Sequence, residues 1–281
     1  AMDQFYDPTP VGAHDSVVYL ITRVPLGGWI RALHWWGASV VLTTVLAHLV
    51  WVFRRRSYVR PREVTWWSGV AMLALLLALA FTGTVLRADQ EGGEALAHAV
   101  AGAEMVGRLG SWLTPDFTRS TSLLARLHAA HTSLLPLALV ALIGLHFWLI
   151  RFWGIRADGP RTVPFPRVLR RLAGVALIGW AAIGALALAF PPGLGYPAIG
   201  GAEVTKPFWP FLWIYAAENG MGLPGMIVAP VVLLAFLAAV PLVDRGERRA
   251  AWVPWVGGLV LVALLAAIVY GALAPQQAHL M

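Results

Sequence analysis

Four histidines lie inside two long apolar segments, and their spacing could support metal chemistry. They form one pair fourteen residues apart, His34 and His48, and one pair fifteen apart, His131 and His146. Fourteen residues of α-helix turn about 1400° and fifteen about 1500°, so each pair lies on roughly one face of its helix. The members of a pair are then about 21–23 Å apart along the helix axis.

The elements that must position these histidines are membrane helices. The chain is 59% hydrophobic and 12% charged, with a mean hydropathy of +0.70, and a soluble domain carries about twice that charge. Each apolar stretch has close to the twenty residues that a helix needs to cross a bilayer. We therefore predict an all-α integral membrane protein with six transmembrane helices, near residues 34–53, 66–86, 132–150, 172–190, 225–243 and 252–274.

The topology places the histidines in cross-helix pairs. The first and third helices run in the same direction because one helix separates them, so His34 meets His131 and His48 meets His146. Facing neutral imidazoles are suited to axial ligation of a haem iron, and the spacing leaves room for two haems. A single intramembrane histidine is more often a structural or proton-conducting group, and histidines on one helix are too far apart to share zinc. Four at matching spacing favour two bis-histidine haems.

The net charge of +7 follows membrane topology and does not indicate a nucleic-acid partner. Segments 54–63, 151–171 and 244–249 hold fourteen of the twenty-one basic residues. This positive-inside asymmetry places them in the cytoplasm of a prokaryote, with the protein in its cytoplasmic membrane. The chain has no cysteine, which excludes disulfides, thiolate metal sites and covalently tethered haem in this chain.

Glycines and arginines near the histidines fit the haem interpretation. Gly69 and Gly83 are fourteen residues apart on the second helix and would let a flat macrocycle approach the backbone, although small-residue helix packing explains them as well. Arg31, Arg126 and Arg151 stand close to the proposed ligands and could pair with haem propionates or could simply extend to the membrane interface. No role is assigned to the remaining histidines, His14, His98, His128 and His279.

Several motifs together resemble cytochrome b of the Rieske/cytochrome b complexes, in the chloroplast-type form joined to its subunit IV. By this resemblance, His34 and His131 hold the outer haem b, His48 and His146 hold the inner one, and Gly69 and Gly83 pack against them. The motifs are "SVVYLITRVPLGGWIRALHWWGAS", "RPREVTWWSGV", "FTGTVLRADQ", "HTSLLPLALVALIGLHFWLIRFWGI" and "EVTKPFWPFLWIY".

The resemblance implies a di-haem N-terminal domain over residues 1–158 and a three-helix, subunit IV-like domain over 159–281. The first three helices would form most of a four-helix bundle. The family's preceding helix is absent from this sequence, so we expect it to be missing from the given chain or supplied by another subunit.

The implied activity is quinol oxidation at the outer face, with menaquinone or ubiquinone as the quinone. One electron would pass to a Rieske iron–sulfur protein or cytochrome c-type subunit, and the other would cross both haems to an inner quinone, with proton translocation. The chain would act only as a subunit, in a complex that forms a homodimer.

The chain departs from the family at the outer quinol site. The loop that usually reads PEWY reads Pro207-Phe208-Trp209-Pro210, so Phe208 replaces the carboxylate that accepts a quinol proton. A buried quinol needs a base within hydrogen-bond reach. Tyr215 matches a family tyrosine, and Glu218 or a water chain is our candidate for the missing base, whereas Glu203 is better explained as a solvated loop charge. The family's LPWDQ also reads LRADQ here, and the cysteine that tethers an extra inner haem is absent.

Two other functions remain open at this point. The substitution at Phe208 is compatible with a quinone-reactive di-haem anchor of a different oxidoreductase that has lost the outer quinol site. A transporter or structural membrane protein without haem is the third possibility, and it predicts no visible absorption.

Overall fold

The computed structural model describes residues 2–154, 165–245 and 250–280, and almost all regular structure in these ranges is helical. The predicted boundary between residues 158 and 159 lies outside the described residues. The helices are α1 (Ala13–Thr22), α2 (Gly27–Arg54), α3 (Glu63–Val85), α4 (Gln90–Met105), α5 (Leu123–Ala129), α6 (Leu135–Trp153), α7 (Phe165–Ala189), α8 (Leu212–Met221), α9 (Leu223–Val243) and α10 (Trp252–Leu273).

Six of the described helical segments are long and apolar enough to cross a membrane: α2, α3, α5 continuing into α6, α7, α9 and α10. The prediction of an all-α, multi-pass membrane protein is therefore confirmed. The largest differences in bounds are at helix starts, since the third span begins at Leu123 rather than near residue 132, and α2 begins at Gly27 rather than near residue 34. Helical hydrogen bonding continues beyond the stretch that hydropathy selects, so hydropathy underestimates helix length.

The third span contains a π-helical turn. Ala130–Leu134 forms this wider turn between α5 and α6, and it includes His131. Pro136 follows two residues later and has no N–H to donate, so the α-helical pattern cannot run through it unchanged. A π turn is one local adjustment by which a membrane helix accommodates such a break.

The transmembrane helices leave a gap between the two that carry the histidines. Helix α3 packs along α6 and α2 packs along α7, whereas α2 and α6 hardly touch. Tryptophans fasten the first helices to the later ones, because Trp66 Nε1 donates to Leu237 O at 2.7 Å and Trp67 Nε1 donates to Ala238 O at 2.9 Å. The gap between α2 and α6 is where a flat cofactor could lie.

A buried ion pair joins the α2–α3 turn to the end of α9. Arg56 Nε and Nη2 each donate to the Asp244 carboxylate at 3.0 Å. Tyr58, which is fully buried, donates its hydroxyl to Asp244 Oδ2 at 2.7 Å. Asp244 is only 1% exposed, so this network fixes the α2–α3 turn relative to the end of α9.

Candidate functional site

The outer histidine pair is brought together as its spacing predicts. His34 projects from α2 and His131 from the π-helical turn, with ring centroids 6.0 Å apart and ring planes at 77°. That separation leaves room for an iron atom between the rings, which is the arrangement of a bis-histidine haem.

His131 and His146 of the third span each have their Nδ1 atom next to a hydroxyl group of α3. His131 Nδ1 lies 2.9 Å from Thr82 Oγ1, and His146 Nδ1 lies 2.8 Å from Ser68 Oγ. Each hydroxyl donates its own hydrogen to a backbone carbonyl of α3, Ala78 O or Thr65 O. The hydroxyl oxygen is therefore placed to accept a hydrogen bond from Nδ1–H. In that tautomer, Nε2 has a lone pair available for a metal.

The inner pair has the same pattern of exposure as the outer one. His146 is half-buried, like His131, and His48 is exposed on α2, like His34; the His48 and His146 imidazoles are close enough for their charges to interact. The pair lies about four helical turns inward from His34 and His131. The structure thus presents one histidine pair at each of two depths.

The two predicted glycines adjoin the histidine rings. A Cβ on Gly83 would be 3.0 Å from His131 Cε1, which is tighter than ordinary contact, and a Cβ on Gly69 would be 3.7 Å from His146 Cε1. The absence of a side chain at Gly83 therefore makes space for the His131 ring. Small residues at such positions also leave space for a flat group between helices.

The chemistry of these donors fits two b-type haems. His131 and His146 each have Nδ1 within hydrogen-bond distance of an α3 hydroxyl, and the helices α2 and α6 hardly touch. This donor set contains no thiolate or carboxylate and suits haem iron better than a four-ligand zinc site.

The three predicted arginines occupy different positions. Arg31 donates to Pro192 O at 2.8 Å and to Gly193 O at 2.9 Å, and the buried Arg126 donates to Trp112 O and Thr114 O. Arg31 and Arg126 thus hold outer loops, while Arg151 is exposed near the inner end of α6. Propionate contacts would come in addition to these bonds.

The PFWP loop lies against α2 beside the outer histidine. The Phe208 ring packs on Trp35, with centroids 5.5 Å apart, and Trp35 directly follows His34. Trp209 Nε1 donates to Ser39 Oγ at 3.4 Å. A quinol bound at this loop would therefore be close to the outer histidine pair.

The LRADQ motif holds the loop between α7 and α8 in place. Asp89 caps α4 by accepting from Gly92 N at 3.1 Å, and it also accepts from Gly195 N at 3.0 Å. Gln90 Oε1 accepts from Ile199 N at 2.7 Å. One turn later, Glu94 accepts from Val204 N and from Thr205 Oγ1, each at 2.7 Å. The start of α4 therefore organises the chain that leads into the PFWP loop.

Glu218 lies in a cluster of titratable side chains that the sequence does not reveal. Its Oε1 is 3.4 Å from His98 Nε2, and its Oε2 is 4.0 Å from His279 Nδ1. Glu203 Oε2 is 3.8 Å from the same His98 nitrogen, and Glu203 also accepts from the backbone of His279. Burial raises the pKa of Glu218, as does the charge of Glu203, while His98 and His279 lower it.

This cluster changes the interpretation of three residues. Glu203 is not a solvated loop charge, since its side chain is 5% exposed and bonded to the chain near residue 279. His98 and His279 had no assigned role, because they are far from Glu218 in sequence. Tyr215 adjoins the cluster: its ring contacts His279, and its hydroxyl accepts from Gln277 N at 2.8 Å.

Comparisons with known proteins identify the chain's relatives. Residues 39–197 match the family model described as Cytochrome b(N-terminal)/b6/petB. Cytochrome b6 of Prochlorococcus marinus strain MIT 9515 is 33% identical over 177 residues, covering 57% of this chain and 74% of that protein. The same values hold for cytochrome b6 of strain AS9601. A chain of a structure titled "Hyperthermophilic respiratory Complex III" matches with a TM-score of 0.79 and 21% identity, over 98% of this chain and 79% of that chain. The structural match establishes the shared fold.

Proposed function

The chain belongs to the cytochrome b (N-terminal)/b6/petB family, and we propose that it is the di-haem b subunit of a membrane quinol:acceptor oxidoreductase. The observation that supports the proposal is the presence of two histidine pairs, each with one imidazole Nδ1 within hydrogen-bond distance of a hydroxyl of α3. Residues through Gly154 would form the di-haem domain, and α7 to α10 would form the subunit IV-like domain.

His34 and His131 would hold the outer haem, and His48 and His146 the inner haem. When bound, the two haems would supply one-electron redox centres in the outer and inner halves of the membrane. Thr82 and Ser68 orient two of the four ligands, and Gly83 and Gly69 leave space beside them. Arg31, Arg126 and Arg151 remain our candidates for the propionate partners.

The outer quinol would bind at the PFWP loop, and its oxidation releases two protons and two electrons. Glu218 would accept one proton, aided by Tyr215 beside it. Two features support this role: the side chain is 5% exposed, and burial raises its pKa towards the range in which a carboxylate exchanges protons readily. His98 and His279 could receive the proton next.

The complex would need partners, since this chain has no cysteine to hold an iron–sulfur cluster. A Rieske protein, or a cytochrome c-type subunit, would accept one electron at the outer face. Menaquinone or ubiquinone would accept the other at the inner face, with net proton translocation. We propose a prokaryotic cytoplasmic membrane, with segments 54–63, 151–171 and 244–249 in the cytoplasm, and a homodimeric complex.

The purified complex tests the haem assignment. A dithionite-reduced minus oxidised spectrum should contain two b-type components, and His131→Ala should remove the outer one while His146→Ala removes the inner one. His128→Ala is the matched control because His128 lies one turn from His131. A complex without a b-type absorption band would refute the proposal.

The Glu218→Gln variant tests the proton acceptor. We expect quinol-driven haem reduction to slow by about 100-fold, the usual contribution of a positioned base, with the haem spectrum unchanged. Glu104→Gln is the control, since Glu104 is an exposed carboxylate on α4. Wild-type rates in Glu218→Gln would exclude Glu218 as an acceptor.

The substitution at Phe208 favours one alternative, a quinone-reactive anchor of a different oxidoreductase. Such an anchor would contain both haems but would not oxidise quinol at the outer face. Co-purification of a Rieske protein would support the first function, and co-purification of a molybdenum enzyme or multihaem cytochrome would support the anchor.

A further inference from the structure

A carboxylate from another part of the chain reaches the loop position at which Phe208 stands. Glu91 lies in the first turn of α4, and the backbone N–H of Phe208 is close enough to its carboxylate to stabilise the negative charge. The two residues are more than one hundred positions apart in sequence. The side chain at position 208 is therefore not an acid, but the Glu91 carboxylate lies beside the backbone N–H of this residue.

The two oxygens of Glu91 have different surroundings. Oε2 accepts a hydrogen bond from Arg87 Nη1 at 2.7 Å. Oε1 is buried and has no hydrogen-bond partner among the described residues. Leaving a buried charged acceptor unsatisfied is costly, so this oxygen is suited to accept a hydrogen bond from a hydroxyl group that enters the site.

Charged side chains surround the Glu91 carboxylate and affect its pKa in opposite directions. Arg87 also pairs with Asp89, and Arg31 of α2 is close enough to both to interact with them. Burial is the largest influence and raises the pKa of Glu91, while Arg87 and the Phe208 N–H lower it and Asp89 raises it. The resulting pKa lies above its usual range, nearer to the pH at which a carboxylate acts best as a base.

We propose that Glu91 accepts one of the two protons released by quinol at the PFWP loop, in place of the loop carboxylate. This inference rests on the proposed outer quinol oxidation. One quinol O–H bond breaks and its proton forms an O–H bond at Glu91 Oε1, and the second proton goes to Glu218. The two electrons would leave for the proposed Rieske-type partner and for the haem that His34 and His131 would hold.

Glu91→Gln in the intact complex provides the first test. The amide keeps the size of the side chain but cannot take up a proton, so quinol-driven haem reduction should slow by about 100-fold. The haem spectrum should be unchanged. A base must be deprotonated to act, so the wild-type rate should fall as the pH is lowered through the pKa of Glu91. The residual rate of Glu91→Gln should depend less steeply on pH over this acid limb, because only Glu218 still titrates, whereas the control Glu104→Gln should keep the wild-type pH dependence.

Restoring an acid at the loop provides the second test. In the double variant Glu91→Gln, Phe208→Glu, the rate of quinol-driven haem reduction should be at least tenfold higher than in Glu91→Gln. The reason is that residue 208 then carries a carboxylate next to the position that the Glu91 carboxylate occupied. Glu91→Asp keeps the charge and serves if the amide variant does not assemble; it should be slower than wild type and keep the acid limb.

The outcomes separate the two proposals. A wild-type complex whose haems are not reduced by quinol would refute the outer quinol site itself. A wild-type complex that is active, with Glu91→Gln retaining both the rate and the acid limb, would refute the role of Glu91 alone. If Glu91→Asp is the only variant that assembles, a wild-type rate in that variant would refute that role.

Discussion

Individual hydroxyl groups decide how the histidines can act. His131 and His146 are each oriented by one hydroxyl of α3, and each hydroxyl has already used its hydrogen on a backbone carbonyl. Their Nδ1–H groups can therefore donate to these hydroxyls, which would leave Nε2 for the proposed haem iron. Partners of this kind typically change metal affinity 10- to 100-fold when they are removed.

Thr82→Val should weaken retention of the outer haem by about tenfold or more, because the valine cannot accept from His131 Nδ1–H. The inner haem should be retained. Ser68→Ala should have the reciprocal effect, so each variant is the control for the other. Haem content by pyridine haemochrome and redox titration of the two components would measure this. Equal loss of both haems in each variant would contradict the assignment of one hydroxyl to one site.

At the scale of elements, α4 connects α3 to the loop between α7 and α8. Asp89, Gln90 and Glu94 accept from or donate to the segment between residues 195 and 205. Most of the hydrogen bonds that fix this segment therefore come from a helix that is distant in sequence. The position of the PFWP loop should depend on α4.

Glu94→Gln should loosen this segment, because a neutral amide is a weaker acceptor for the N–H groups of Val204 and Thr205. Hydrogen bonds to a charged group contribute roughly 1.5–3 kcal/mol each. We expect faster proteolysis between residues 195 and 205 and a raised KM for quinol, with both haems retained. Glu104→Gln on the same helix should change neither, and an unchanged cleavage rate in Glu94→Gln would contradict the role given to α4.

At the scale of the molecule, Asp244 joins the end of α9 to the α2–α3 turn. Its carboxylate is almost fully buried and accepts from Arg56 and Tyr58. Breaking a buried ion pair leaves an uncompensated charge and commonly costs about 3–5 kcal/mol.

Asp244→Asn should therefore lower the thermal midpoint of the detergent-purified complex by several degrees. Glu63→Gln is the matched control, because Glu63 pairs with the largely exposed Arg60 and such surface pairs contribute little. A midpoint that falls as much in Glu63→Gln as in Asp244→Asn would contradict the stabilising role of the buried pair.

The sequence by itself determined the features that depend on local periodicity. Hydropathy located six membrane helices, and helical geometry paired His34 with His131 and His48 with His146, since a fixed rise and turn relate spacing to direction and depth. The tertiary structure decided what depends on contacts between distant segments. It brought His98, Glu203 and His279 around Glu218 and placed Glu91 beside Phe208. No periodicity encodes such contacts, because loops and chain ends meet only after the helices have packed.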